Sequence, residues 1–213
     1  VLGHADFMGL RILVGPGVLC PRPETEELAE AAARLLEGAR SRSSGRRILD
    51  IGTGSGCLAV YLAKRFPDAD VTGMDISPKA LALARRNAAL HGVAGRIKFL
   101  KADLFRLPKL GSFDLIVANP PYVPSRRLST LSLEVRAEPR LALDGGLDGL
   151  DAIRAIIRAG EKGLKPGGRL VMEIGHDQGA RVKALLRDAG FGGPQVLKDM
   201  QGLDRIAAGK LPR

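Results

Sequence analysis

Residues 115–124, LIVANPPYVP, set an asparagine, two prolines and a tyrosine directly after an apolar run. Neither proline carries a backbone N–H, so a strand ladder must end at Asn119. What remains is a corner poor in donors and rich in acceptors. Asn119 offers a side-chain oxygen, Pro120 a carbonyl whose direction the Pro120–Pro121 pair fixes, and Tyr122 a flat ring. Such a corner suits the nitrogen of an amide, or of an amino group on a planar ring. That nitrogen has a delocalised lone pair and two N–H donors. Accepting both hydrogens on one side aims it at an electrophile and stabilises positive charge as it develops. Tyr122 can stack on the planar group. No strong base is required, because the proton can leave after the transfer. On its own, the tetrad also reads as a plain loop with a turn.

A second group starts at Asp50, in DIGTGSGCLAVYLA. Gly52, Gly54 and Gly56 alternate with Thr53 and Ser55, and glycines there let the backbone turn tightly and approach a ligand closely. A dinucleotide fingerprint would put its third glycine at position 57, which is Cys57. The D-x-G-x-G-x-G pattern instead resembles the first motif of class I methyltransferases. That resemblance implies S-adenosylmethionine (SAM) as cofactor, with the loop facing its methionine part. Asp75 ends the next apolar run, about twenty residues on, where a carboxylate accepts the ribose hydroxyls. The other reading of Asp75 is a helix N-cap, a role that Ser77 already fills. In KADLF, Asp103 would receive the adenine amino group, as in many relatives of this fold, and Leu104 would add an apolar wall.

The elements that must position these residues alternate. The runs at 47–51, 70–76, 96–103, 113–119 and 169–174 read as strands. Helices are predicted over 55–66, 78–91, 150–164 and 178–189, with Ser77 and Pro78 opening the second. KPGG at 165–168 reads as a turn, and 123–149 as a long irregular segment. Residues 191–199 and 204–211 read as a closing antiparallel pair. Strands alternating with helices predict a Rossmann-like α/β fold: a mostly parallel sheet, helices on both faces and an antiparallel C-terminal strand. Ahead of it, RILV and GVLC flanking GPG read as a β-hairpin. PRPETEELAEAAARLLEG follows as a helix, with acids in its first turn and Leu28, Ala32, Leu35 and Leu36 as its stripe. A basic linker at 39–47 then divides a segment 1–45 from a methyltransferase domain at 46–213.

Composition narrows the classes. Hydrophobic residues make up 45% of 213 and Trp is absent, so the core must be aliphatic. No apolar run approaches the roughly 20 residues of a membrane helix. The start lacks a signal-peptide pattern and an initiating Met, as a fragment of a longer chain would. Cys20 and Cys57 stand apart and His4, His91 and His176 are scattered, which argues against disulfides and metal and for a reducing cytoplasm. The net charge of +10 fits a polyanionic partner such as RNA or the ribosome, and equally a solvated basic surface.

The Asn-Pro-Pro-Tyr tetrad is shared by adenine-amino methyltransferases of DNA and RNA and by protein glutamine methyltransferases. Four stretches separate them: residues 6–30, containing PRPETE, the glycine loop, NPPYVP, and EVRAEPRLALDGGLDGL. Together they resemble the release-factor glutamine N(5)-methyltransferase family of the HemK/PrmC type, over nearly the whole chain. The resemblance implies a protein substrate, the glutamine of the Gly-Gly-Gln loop in class I peptide chain release factors. Nucleic acid is not required, although the basic surface can contact RNA. The resemblance further implies that Asn119 and Pro120 hold the amide and Tyr122 packs on it. SAM would be lined by Gly52 to Gly56, Asp75 and Asn119, with Arg22, Glu24 and Thr25 closing the site. The chain departs from the family in beginning without its usual N-terminal helical domain, which leaves residues 1–45 as a remnant of, or junction to, that domain. It also carries Leu104 where some relatives have Trp, so stacking on adenine is expected to be weaker. An adenine methyltransferase is the rival reading, although two Tyr and six Phe are few for a nucleic-acid recognition surface. A binding module with a dead site is a third reading, opposed by the intact tetrad.

Overall fold

The computed structural model describes residues 3–38, 45–107 and 111–213. Residues 39–44 of the basic linker lie outside them. The chain opens with antiparallel strands β1 (His4–Phe7) and β2 (Leu10–Leu13). The hairpin is real, but its turn is Met8–Gly9, not the predicted GPG. Both turn residues have positive φ, 49° and 72°, the geometry that matches the twist of a two-residue hairpin. GVLC is therefore not a strand, and residues 17–20 line the cavity described below.

Helix α1 (Pro23–Glu37) begins on Pro23 with Glu24 and Glu26 in its first turn. Its buried stripe is Thr25, Leu28, Ala29, Ala32, Ala33 and Leu36. Then come β3 (Arg47–Ile51), α2 (Cys57–Arg65), β4 (Asp70–Asp75), α3 (Pro78–Leu90), β5 (Ile97–Lys101) and β6 (Phe113–Ala118). Ser77 caps α3 by accepting from the Ala80 N–H at 3.3 Å. Residues 123–149 are less irregular than predicted. They hold two 3-10 turns and a short helix, α4 (Leu133–Arg136), and Val123 bridges to Asp144. Helix α5 (Asp151–Gly163), strand β7 (Leu164–Glu173), helix α6 (Gly179–Asp188) and strands β8 (Gly192–Lys198) and β9 (Asp204–Lys210) complete the chain. KPGG is not a turn before β7 but lies inside it. Phe113 pairs with Leu164 while Leu115 pairs with Arg169, so the strand absorbs these residues as a bulge, with Gly167 at φ 84°.

The main sheet has the order β5-β4-β3-β6-β7-β9-β8, with β9 antiparallel to both of its neighbours and the other pairings parallel. Alternation along the strands divides the core in two. Ile48, Leu115 and Val117 join α1, α2, α3 and the hairpin on one face. Leu49, Ile116 and Met172 join α5 and α6 on the other. The strand order reverses at β3, with β4 on one side and β6 on the other, so a crevice forms beyond their carboxyl ends.

Candidate active site

That crevice is a cavity of about 350 Å³. Thr25, Gly52, Thr53, Gly54, Ser55, Asp75, Asp103, Leu104, Asn119, Pro120 and Pro121 line it. Among the residues expected at the site from the sequence, Arg22, Glu24, Gly56 and Tyr122 do not.

The glycine loop closes one end. Gly52, Gly54 and Gly56 have φ of 71°, 56° and 80°, the left-handed region that disfavours other residues. Gly56 is needed for space as well, since a Cβ there would sit 2.9 Å from the Ala84 Cβ of α3. It thus serves loop-to-helix packing and not the cavity wall. The N–H groups of Gly52 and Thr53 both donate to the Met74 carbonyl at 2.9 Å, tying the loop to β4. Beneath it, the Thr53 hydroxyl donates to Asp50 Oδ2 at 2.6 Å. Asp50 is fully buried and its Oδ1 has no partner, so burial pushes its pKa up to about 7.

Asp75 Oδ2 accepts from the Gly54 N–H at 3.0 Å and Oδ1 from the Ser77 N–H at 2.8 Å. Each oxygen keeps a further acceptor position. Asp75 therefore braces the loop while retaining capacity for a diol. Asp103 Oδ1 accepts from the Phe105 N–H at 2.8 Å, which shapes a single helical turn at 104–106. That turn sets Phe105 on the cavity wall with 63% exposure. Phe105 was not singled out in the sequence, although a phenylalanine two residues past Asp103 in a chain with 4% aromatics is a usable signal. With Ile51, Met74, Ile76 and Leu104 beside it, the wall is apolar, between an acid at Asp75 and loop N–H groups. A cradle of left-handed glycines next to an apolar slot with carboxylates at its rim fits a nucleoside that carries an amino-acid tail.

The other end is the asparagine corner. Asn119 Nδ2 donates to Thr25 Oγ1 at 2.9 Å, Thr25 Oγ1 donates to Glu173 Oε2 at 3.0 Å, and the Tyr122 hydroxyl donates to Glu173 Oε1 at 3.0 Å. Glu173 ends β7 and is 2% exposed; burial raises its pKa. Burial also raises the pKa of Tyr122, with Glu173 adding to the effect, so the phenol stays protonated and donates. Tyr122 is thus anchored inward, not laid open to the cavity. Gln178, buried at the start of α6, fastens the back of the corner. Its Nε2 donates to the carbonyls of Tyr122 at 3.0 Å and Gly149 at 3.1 Å, and its Oε1 accepts from the Gly175 N–H at 2.8 Å. Gly149, at φ 77°, must be glycine because a Cβ would run into the Tyr122 carbonyl oxygen.

Two further contacts hold the walls. Asn87 of α3 is fully buried. It exchanges hydrogen bonds with the Leu13 backbone at 2.8 and 3.1 Å and donates to the Ser55 carbonyl at 2.8 Å, bolting the hairpin to the glycine loop. Arg22, expected near the cofactor, pairs with Glu138 at 2.6 Å and links the start of α1 to the 123–149 segment. Among the described residues, no group of His, Cys, Asp and Glu is arranged to hold a metal, and no helix is long and apolar enough to cross a membrane.

The comparisons with known proteins agree with this geometry. A family model described as a methyltransferase domain matches residues 42–190. The catalytic domain of hMettl16 superposes with a TM-score of 0.73 at 18% identity, covering 96% of this chain and 76% of that one, a likeness of fold. The release factor glutamine methyltransferase of Geobacter sulfurreducens is 44% identical over 99% of this chain and 72% of its own length. The enzyme of that name from Moorella thermoacetica is 47% identical over 95% and 71%. The acceptor corner, the glycine cradle and these identities lead to one conclusion: the chain belongs to the release factor glutamine methyltransferase family.

Proposed function

We propose that this protein methylates the side-chain amide nitrogen of the glutamine in the Gly-Gly-Gln loop of class I peptide release factors, with SAM as methyl donor. The observation that carries the reading is the Asn119 corner, set beside the glycine cradle in one cavity. SAM, when bound, supplies an electrophilic methyl group on a sulfonium. The chain's own residues bind, orient and exclude water. The loop at 52–55 and Asp75 would hold the polar parts of the cofactor, and Leu104, Phe105 and Ile76 would offer an apolar wall to its base. Asn119 Oδ1 and the Pro120 carbonyl accept the two amide hydrogens of the substrate, which turns the nitrogen lone pair toward the methyl group. Fixed neutral acceptors there cost no reorganisation as positive charge grows on nitrogen. Tyr122, tied to Glu173, holds the corner in place from behind.

Incubation with methyl-labelled SAM and either a class I release factor or RNA tests the reading. Label is expected in the protein. Label in RNA alone would replace this substrate by an adenine amino group.

A further inference from the structure

We propose that Thr25 and Glu173 form a polarity relay that decides which end of the Asn119 amide faces the substrate. The proposal rests on the reading of Asn119 as the acceptor of the substrate amide, and it assigns a positioning role to two residues outside the tetrad.

Glu173 accepts from two hydroxyls, Thr25 on Oε2 and Tyr122 on Oε1. Thr25 has one proton, and that proton is committed to Glu173. Toward Asn119 its oxygen can then only accept, so Asn119 must turn its NH₂ to Thr25, as the 2.9 Å contact from Nδ2 shows. The carbonyl end of Asn119 is left over, and among the described residues no donor reaches it. Reversing the relay would present NH₂ to a substrate amide that is itself a double donor, and the two sets of hydrogens would repel.

The placement is specific. Thr25 occupies the buried stripe of α1, where Leu28, Ala29 and Ala32 continue the pattern, so a polar residue there needs a polar partner. Glu173 lies on the same face of its strand as Val171, the face that α1 covers. Arg205 of β9 and Glu24 of α1 are the charged groups that act on it, with opposite effects. Arg205 is itself held by Asp199 at 3.1 Å. A purely space-filling role for Thr25 would accept Val, which has the same shape. The relay would accept only Ser.

The test combines two independent readouts. In single-turnover methylation of a Gly-Gly-Gln peptide, Thr25→Ser stays within about tenfold of wild type. Thr25→Val loses roughly a hundredfold, the scale of one aimed dipole, while SAM affinity changes little. The sharper arm is a compensation. Asn119→Asp places a second acceptor against the Thr25 oxygen and is slow. Glu173→Gln can donate to Thr25, which frees the Thr25 proton for the new carboxylate and leaves its other oxygen for the substrate. The double variant Asn119→Asp/Glu173→Gln is therefore expected to run at least about fivefold faster than Asn119→Asp alone, within the coupling found between residues in contact. A double variant no faster than Asn119→Asp, or wild-type turnover by Thr25→Val, would overturn the relay. The second readout needs no substrate: ¹⁵N NMR should show the Asn119 side-chain protons exchanging slowly in wild type and Thr25→Ser and faster in Thr25→Val. Equal exchange in all three would also overturn it. A wild-type protein that leaves the peptide unmethylated would sink the substrate reading, and the exchange measurement would still decide the relay.

Discussion

The two ends of the cavity are built on different plans. The end proposed for the cofactor is mostly backbone: three left-handed glycines, N–H groups pointed at Met74, and one carboxylate, Asp75, that braces them. Its parts come from the ends of adjacent strands. The end proposed for the substrate is a chain of side chains drawn from far apart, with Asn119 meeting Thr25 across 94 positions and Thr25 meeting Glu173 across 148. A backbone cradle tolerates changes in its neighbours, because its shape is set by glycine dihedrals. A side-chain network fails when one member changes its donors. Damage at the corner should therefore reach turnover first, and damage at the loop should reach cofactor affinity first.

The largest effect is expected at Asn119. Both Asn119→Ala and Asn119→Asp should lose about a hundredfold to a thousandfold in turnover, while calorimetry shows SAM affinity within about tenfold of wild type, or 1.4 kcal/mol. A parallel loss of SAM affinity would erase the contrast between the two ends. Gln178→Leu comes next. It strands two buried carbonyls and one N–H, and each group left unpaired costs about 1–3 kcal/mol. Denaturant unfolding should register a loss of more than about 2 kcal/mol, and turnover should fall more than SAM affinity does.

Asp75→Ala attacks the other end. Losing a charged acceptor costs roughly 1.5–3 kcal/mol, so SAM affinity should drop about tenfold to a hundredfold while turnover at saturating SAM is largely kept. An unchanged SAM titration would mean that bracing Gly54 and Ser77 is all that Asp75 does. The smallest effect is a stability dependence on pH. Burial holds the Asp50 proton up to about 7, against about 3.9 in an unfolded chain. The folded state binds that proton more tightly, so this share of stability is full below about pH 4 and is lost as pH rises through about 7. Asp50→Asn keeps an acceptor for Thr53 and removes the titration. Its melting temperature should exceed wild type at about pH 8 and match it more closely near about pH 5. A wild-type curve that rises over that range would contradict a protonated, buried Asp50.

The contrast between the ends also explains what the sequence made legible. The glycine loop, Asp75, Asp103 and the strand-stopping prolines are local signals, and all but Gly56 of that loop appear in the cavity wall. Most elements followed from periodicity, and the mostly parallel sheet followed from strands alternating with helices, while its order β5-β4-β3-β6-β7-β9-β8 is known only from the structure. The hairpin turn was misplaced because GPG outweighs Met8–Gly9 as a turn signal, although Met8 takes a positive φ that its residue type disfavours. Glu173, Gln178 and Asn87 escaped for another reason. Each is an isolated polar residue in an otherwise regular element, and its partner is known only after folding. The one hint lay in register: Thr25 falls on the apolar stripe of α1, and Glu173 ends an apolar strand. Arg22 shows the reverse. Motif resemblance put it at the cofactor, and the fold pairs it with Glu138.

The most direct measurement of the acceptor corner is fragment-ion mass spectrometry of a release-factor tryptic peptide, after incubation with SAM and wild-type protein or Asn119→Ala. One added methyl on the glutamine side-chain amide of the Gly-Gly-Gln sequence is expected with wild type, and little or none with Asn119→Ala at the same SAM saturation. A methyl on any other residue, or equal methylation by the two proteins, would contradict an asparagine corner that aims a glutamine amide.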